Sequence, residues 1–152
     1  MKRLIFAFTL VLGMMGCKEV FEAPPQALLL ATFYNSATNQ PMSPVVTAQG
    51  VGNENLMMDE LSSNNVLFPL TITDTTRFII WLDSTADSIT FIHEGTQKLA
   101  SVEKGFYFEY KLHSVAFTQN RIDSVRIVDS LVTTKWNENI KLYIGAVPDS
   151  VN

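Results

Sequence analysis

Gly105-Phe106-Tyr107-Phe108-Glu109-Tyr110-Lys111-Leu112-His113-Ser114 is the stretch that decides the fold. Phe106, Phe108, Tyr110 and Leu112 fall on one side of an extended chain, and Tyr107, Glu109, Lys111 and His113 on the other. Successive side chains of a strand point to opposite faces, so this alternation reads as an antiparallel strand with one face on a core and one facing water.

Working outward, Arg77 to Leu82 reads as a second strong strand, carrying Phe78, Ile79, Ile80 and Trp81. The polar turn Asp83-Ser84-Thr85-Ala86-Asp87 leads into Ser88 to His93, and Gly95-Thr96 is expected to turn the chain again. Nearer the N-terminus, Ala27 to Tyr34 is apolar on both faces, as expected mid-sheet or under cover on both sides. Turn residues crowd Asn35 to Pro44. Short strands follow at Val45 to Gln49, ended by Gly50-Val51-Gly52-Asn53, and at Leu56 to Met58. After the turn Ser62-Ser63-Asn64-Asn65, the segment Val66 to Leu70 contains Pro69, which cannot donate to a ladder and so marks an edge strand or a bulge.

Downstream, Ile122 to Val132 and Asn139 to Ile144 read as a final hairpin around Thr133 to Glu138. Short strands at regular spacing without an amphipathic helix give an all-β fold. The expected form is an antiparallel, immunoglobulin-like β-sandwich of about seven to nine strands, without the Cys–Trp–Cys signature of true immunoglobulin domains. The domain is expected over 26–147, with 148–152 a frayed tail.

The N-terminus carries an address. Lys2 and Arg3 precede the apolar run Leu4 to Leu12, then Gly13, Met14, Met15 and Gly16, and then Cys17, the only cysteine. The run is shorter than the roughly 20 apolar residues a membrane span requires, but it suits a secretory signal. The arrangement resembles a bacterial lipoprotein signal peptide over 1–16, cleaved at Gly16-Cys17, although Met14 and Met15 stand where such signals prefer Leu and a small residue. Cys17 is then expected to carry diacylglycerol and an N-acyl chain such as palmitate, anchoring the protein to the bacterial outer membrane, periplasm-facing or at the cell surface. A single acyl chain holds only marginally, and several hold firmly. The alternative is a secreted chain with a free Cys17. Residues 17–25 form the tether, in which Pro24-Pro25 favours an extended spacer. Lys18, Glu19 and Glu22 read equally as an acidic export signal or as a solvated linker.

With Cys17 lipidated no disulfide can form, and stability must come from an apolar core of the size one domain supports. The whole chain carries a net charge of −4; cleavage after Gly16 removes Lys2 and Arg3, leaving nine basic against fifteen acidic residues, near −6. An acidic domain without a basic cluster is a poor nucleic-acid binder.

Chemistry is sparse. His93-Glu94 and Glu109/His113 could supply zinc ligands only if their strands were neighbours; both histidines are expected to be exposed or capping, near strand ends. No Gly-x-Ser-x-Gly elbow holds a nucleophile. Asp83, Asp87 and Asp74 could offer oxygens to calcium, but turn hydrogen bonding accounts for them. Gly50-Val51-Gly52 is better explained by a turn than by phosphate binding. Neither a metal nor a cofactor is expected. Trp136 stands in the polar stretch Thr133 to Asn139, where it either stacks on a sugar ring, anchors a protein partner or caps the sandwich. Tyr107 and Tyr143, on outward strand faces, could extend that patch or serve only as good strand formers.

Several segments carry a resemblance: Leu28 to Asn35, Gly50-Val51-Gly52, Phe68-Pro69-Leu70, Thr75 to Phe78, Asp87 to Phe91, Gly105 to Tyr110 and Asn120 to Val125. In this order they resemble a family of Bacteroidetes lipoproteins of unknown function (DUF6452). The resemblance implies an envelope address and no activity; a cysteine it implies before Gly105 is here Lys104. The expected function is that of a non-enzymatic, lipid-anchored interaction or accessory module with an envelope protein as partner. The alternative is a carbohydrate-binding module around Trp136.

Overall fold

The computed structural model describes residues 23–145. The signal 1–16, the lipidation site Cys17, tether residues 18–22 and the tail 148–152 lie outside the described residues. Ten strands build the domain: β1 (Leu28–Asn35), β2 (Val45–Gly50), β3 (Leu56–Ser62), β4 (Asn65–Pro69), β5 (Thr75–Leu82), β6 (Thr85–Ser101), β7 (Gly105–Phe117), β8 (Ile122–Ile127), β9 (Leu131–Val132) and β10 (Glu138–Ile144). They form a four-stranded sheet, β4-β1-β10-β8, and a six-stranded sheet, β3-β2-β5-β6-β7-β9.

The core lies between the two sheets. Leu29, Ala31 and Phe33 of β1, Phe68 of β4 and Ile140, Leu142 and Ile144 of β10 come from one side, and Phe78, Ile80, Leu82, Ile89 and Phe91 of β5 and β6 from the other. Phe68 meets Phe78 and Phe91 across the gap, with ring centroids 4.7 and 5.2 Å apart. Such aromatic pairs contribute about 0.5–1.5 kcal/mol each beyond the area they bury. Pro69 ends β4, an edge strand of its sheet, where a missing N–H costs no ladder bond.

The all-β fold is as expected, and five details of the reading are corrected. The strands number ten rather than seven to nine, and the sandwich is not wholly antiparallel, because β1 and β10 run parallel from Leu30↔Glu138 to Asn35↔Ile144. These strands come from opposite ends of the domain, so the long crossover that a parallel pair needs is the whole intervening chain. The final hairpin is real between β8 and β10, but Leu131 and Val132 leave it and pair with Lys111 and Tyr110 in the other sheet. The buried Asn139 makes that departure possible. Its Nδ2 donates to the carbonyls of Asp129 (3.1 Å) and Leu131 (2.9 Å), and its Oδ1 accepts from the Leu30 N–H (3.0 Å).

Gly95-Thr96 does not turn the chain, and β6 runs on to Ser101. Gly95 lies opposite Tyr110 on β7, and a Cβ there would sit 3.3 Å from the Tyr110 ring and 3.4 Å from the Phe108 ring. The glycine makes room for cross-strand aromatic side chains rather than for a bend. Finally, His93 is buried rather than exposed or capping. A bulge after Ile92 leaves His113 as the extra residue, since Ile92 faces Ser114 and His93 faces Leu112.

Candidate functional site

A concavity of about 750 Å³ lies on the outer face of the six-stranded sheet and is lined by Val45, Thr47, Leu56, Asp59, Glu60, Trp81, Asp83 and Ser84. Strand alternation places its floor. Val46, Ala48, Ile80 and Leu82 point into the core, so Val45, Thr47 and Trp81 point outward, and Thr47 lies directly opposite Trp81. A bulge in the β2–β3 ladder places Asp59 and Glu60 opposite Thr47, between the pairs Val46↔Leu61 and Ala48↔Met58. Glu60 adopts φ +45°, which side-chain-bearing residues rarely occupy. The Thr47 hydroxyl holds it there by accepting its N–H at 3.0 Å.

The rim at the turn between β5 and β6 is built on two further positive-φ residues, Asp83 (φ 48°) and Ser84 (φ 71°), which suit a two-residue hairpin turn. Asp83 accepts the Val45 N–H at 3.0 Å and the Arg121 Nη2–H at 2.7 Å. Burial alone would raise the Asp83 carboxyl, but the Arg121 hydrogen bond, the Val45 N–H and the Arg121 charge together hold it below the ordinary carboxylate range. Arg121 is 4 % exposed, and its Nε and Nη1 have no protein partner. Asp83 is thus neutralised from beneath, and Asp59 and Glu60 remain as the acceptors beside the indole. An aromatic face flanked by carboxylates suits stacking with hydroxyl or cationic hydrogen-bond donors.

Behind this rim Asp87 is 2 % exposed. Its Oδ1 accepts from Thr118 Oγ1 (2.6 Å) and the Asn120 N–H (2.9 Å), and its Oδ2 from the N–H groups of Arg121 (2.7 Å) and Ile122 (2.9 Å). Both Asp87 oxygens and Asp83 Oδ2 are therefore committed to the segment leading into β8, and Asp83 Oδ1 to the start of β2.

The residues singled out from the sequence fall at separate places. Trp136 has φ 51° and is 47 % exposed, and its indole N–H donates to the Gln26 carbonyl at 3.0 Å. Tyr107 lies on β7, 3.4 Å from Glu109 Oε1, and shares a groove with Pro24, Pro25 and Gln26. Tyr143 belongs to the other sheet, its ring 5.7 Å from that of Tyr34. Tyr107 and Trp136 thus flank the incoming chain, and Tyr143 does not join them.

The histidines face opposite ways. His93 Nε2 lies 2.8 Å from Thr76 Oγ1 with its ring edge-on to Tyr110, whereas His113 lies outside, 3.6 Å from Glu94. Among the described residues no three His, Cys, Asp or Glu side chains converge on a possible metal position. Trp81, Asp59 and Glu60 were not distinguished by the sequence. The signal available was the outward phase of Trp81 within a strand whose alternate residues are core.

No curated protein and no solved structure matches the chain. The model of a family of unknown function (DUF6452) matches residues 45–144, which covers most of the sandwich from β2 to β10, and the chain belongs to that family.

Proposed function

We propose that this chain is a non-enzymatic, lipid-anchored interaction module of the bacterial envelope, with the Trp81 concavity as its contact surface. The observation that carries this reading is the placement of the concavity relative to the incoming chain. The chain comes in at Gln26, beside Trp136, and β1 leads away to Asn35 and Ile144. At that far end Gly145 binds the Arg121 carbonyl, Arg121 binds Asp83, and Asp83 binds the start of β2. A lipid on Cys17 would hold the near end and leave Trp81, Asp59 and Glu60 turned toward whatever lies beyond the membrane.

The test is crosslinking of the native lipoprotein in intact cells, with mass spectrometry of the products. A reproducible envelope partner lost on Trp81→Ala and kept on Trp136→Ala supports the reading. A partner retained by both variants removes the concavity from it. The partial exposure of Trp136 supports the second reading, a carbohydrate-binding module, and binding on a glycan array that disappears on Trp136→Ala would favour it.

A further inference from the structure

β5 accompanies β6 only as far as Thr75↔Ile92, and β9 touches β7 only at Tyr110 and Lys111. Beyond that level, β6 and β7 pair with no third strand among the described residues, and continue to Ser101↔Gly105 as a two-stranded ribbon. The ribbon leaves the sandwich at the Thr75 end of β5, opposite to the Trp81 concavity. Phe106, Tyr107 and Phe108 line one groove with Pro24, Pro25 and Gln26, so the ribbon projects from the same end as the incoming chain and beside it.

Its tip is apolar where a solvated hairpin would be polar. Leu99 and Phe106 lie directly opposite each other and are 58 % and 60 % exposed, and Val102 in the turn is 94 % exposed. None of the three belongs to the core.

We propose that Leu99, Val102 and Phe106 seat in the interfacial region of the lipid bilayer that carries the anchor. The inference rests on the reading of Cys17 as the lipidated residue, and chain lengths give it its geometry. Pro24 lies seven positions after Cys17, a stretch that spans at most about 25 Å. From Phe108 the ribbon advances roughly 10 Å over the three strand residues to Gly105, and the turn that carries Val102 adds a few ångströms. With Pro24 beside Phe106 to Phe108, the tip lies within the reach of the tether and meets the lipid surface when the tether spans about half its full length. The ribbon then acts as a second contact that fixes the tilt of the domain, and apolar burial at the interface supplies the attraction.

The test uses the full lipoprotein purified from membranes and reconstituted in vesicles of phosphatidylethanolamine and phosphatidylglycerol. Val102→Cys and Ala37→Cys, both at exposed positions at opposite ends of the domain, each receive a thiol-specific nitroxide. The expected result is a ratio of oxygen to nickel-chelate accessibility severalfold higher at 102 than at 37. Equal ratios, with one label bound per chain, would overturn the membrane contact while leaving the anchor intact. Label uptake by the wild-type protein would reveal a free Cys17 and remove the anchor together with the contact that depends on it.

Discussion

Trp136 donates its indole N–H to the carbonyl of Gln26 at 3.0 Å, across 110 positions of sequence. One residue sits in the loop before β10, and the other lies just before β1, its parallel neighbour. The bond therefore fastens the incoming chain to the loop that leads into β10, an inner strand of the four-stranded sheet. Trp136→Phe keeps an aromatic side chain but removes the donor and one ring of the indole, so the expected cost is at least about 1 kcal/mol in urea unfolding. Amide exchange at Ala27 and Leu28 is expected to quicken more than exchange elsewhere. Unchanged exchange there would show that the indole holds nothing.

Asp87 is expected to be the most sensitive polar position in the domain. Its carboxylate takes four donors while almost wholly buried, and three of them are backbone N–H groups of residues 120–122. Asp87→Ala leaves these donors without acceptors and is expected to cost about 3–5 kcal/mol, in the range of broken buried charge networks. Asp87→Asn, which keeps one acceptor oxygen, is expected to fall between that variant and the wild type. Chemical denaturation of the three proteins orders them.

The sandwich was legible because its core strands alternate cleanly: Phe78, Ile80 and Leu82 repeat every second residue, as do Ile89 and Phe91. Pro69 likewise announced its edge position by the donor it lacks. What escaped the reading depends on partners remote in sequence. Gly95 looks like a turn until Tyr110 and Phe108 are seen to occupy the space of its missing side chain. Leu131 and Val132 look like the end of a hairpin until Asn139 is seen to satisfy the backbone where the chain crosses to the other sheet. The concavity escaped for a related reason. Trp81 reads as one more apolar residue in a strong strand, and only its pairing with Thr47, opposite the β3 bulge, brings Asp59 and Glu60 beside it.

His93 makes a pH dependence expected. Burial, the larger influence, holds its imidazole below the ordinary value of 6.5, and the Asp74 carboxylate pulls the other way. The unfolded chain therefore takes a proton more readily than the folded one. The stability this residue contributes is present above the unfolded value of about 6.5 and is lost as the pH falls from there through the folded value. Protonation would also set a charge beside the Thr76 hydroxyl and the Tyr110 ring. Urea unfolding at pH 7.5 and pH 5.5 is expected to show a drop in the wild type that shrinks in His93→Gln. An equal drop in both proteins would assign the acid sensitivity to the carboxylates instead.

Glu60 separates folding from recognition. Its φ of +45° is strained for a residue with a side chain, at a cost of order 1–3 kcal/mol. Glycine adopts that conformation freely but loses more chain entropy on folding, by roughly 0.5–1 kcal/mol. Glu60→Gly is therefore expected to leave stability unchanged or slightly raised, since the backbone N–H that bonds Thr47 Oγ1 is retained. If the Trp81 concavity is the contact surface, the same variant loses a carboxylate from its wall and captures less of the crosslinked partner. A strained residue held by a dedicated hydroxyl where glycine would fold at least as well is the pattern of a side chain kept for binding. Full partner capture by Glu60→Gly, with Trp81→Ala also silent, would move the contact surface elsewhere on the domain.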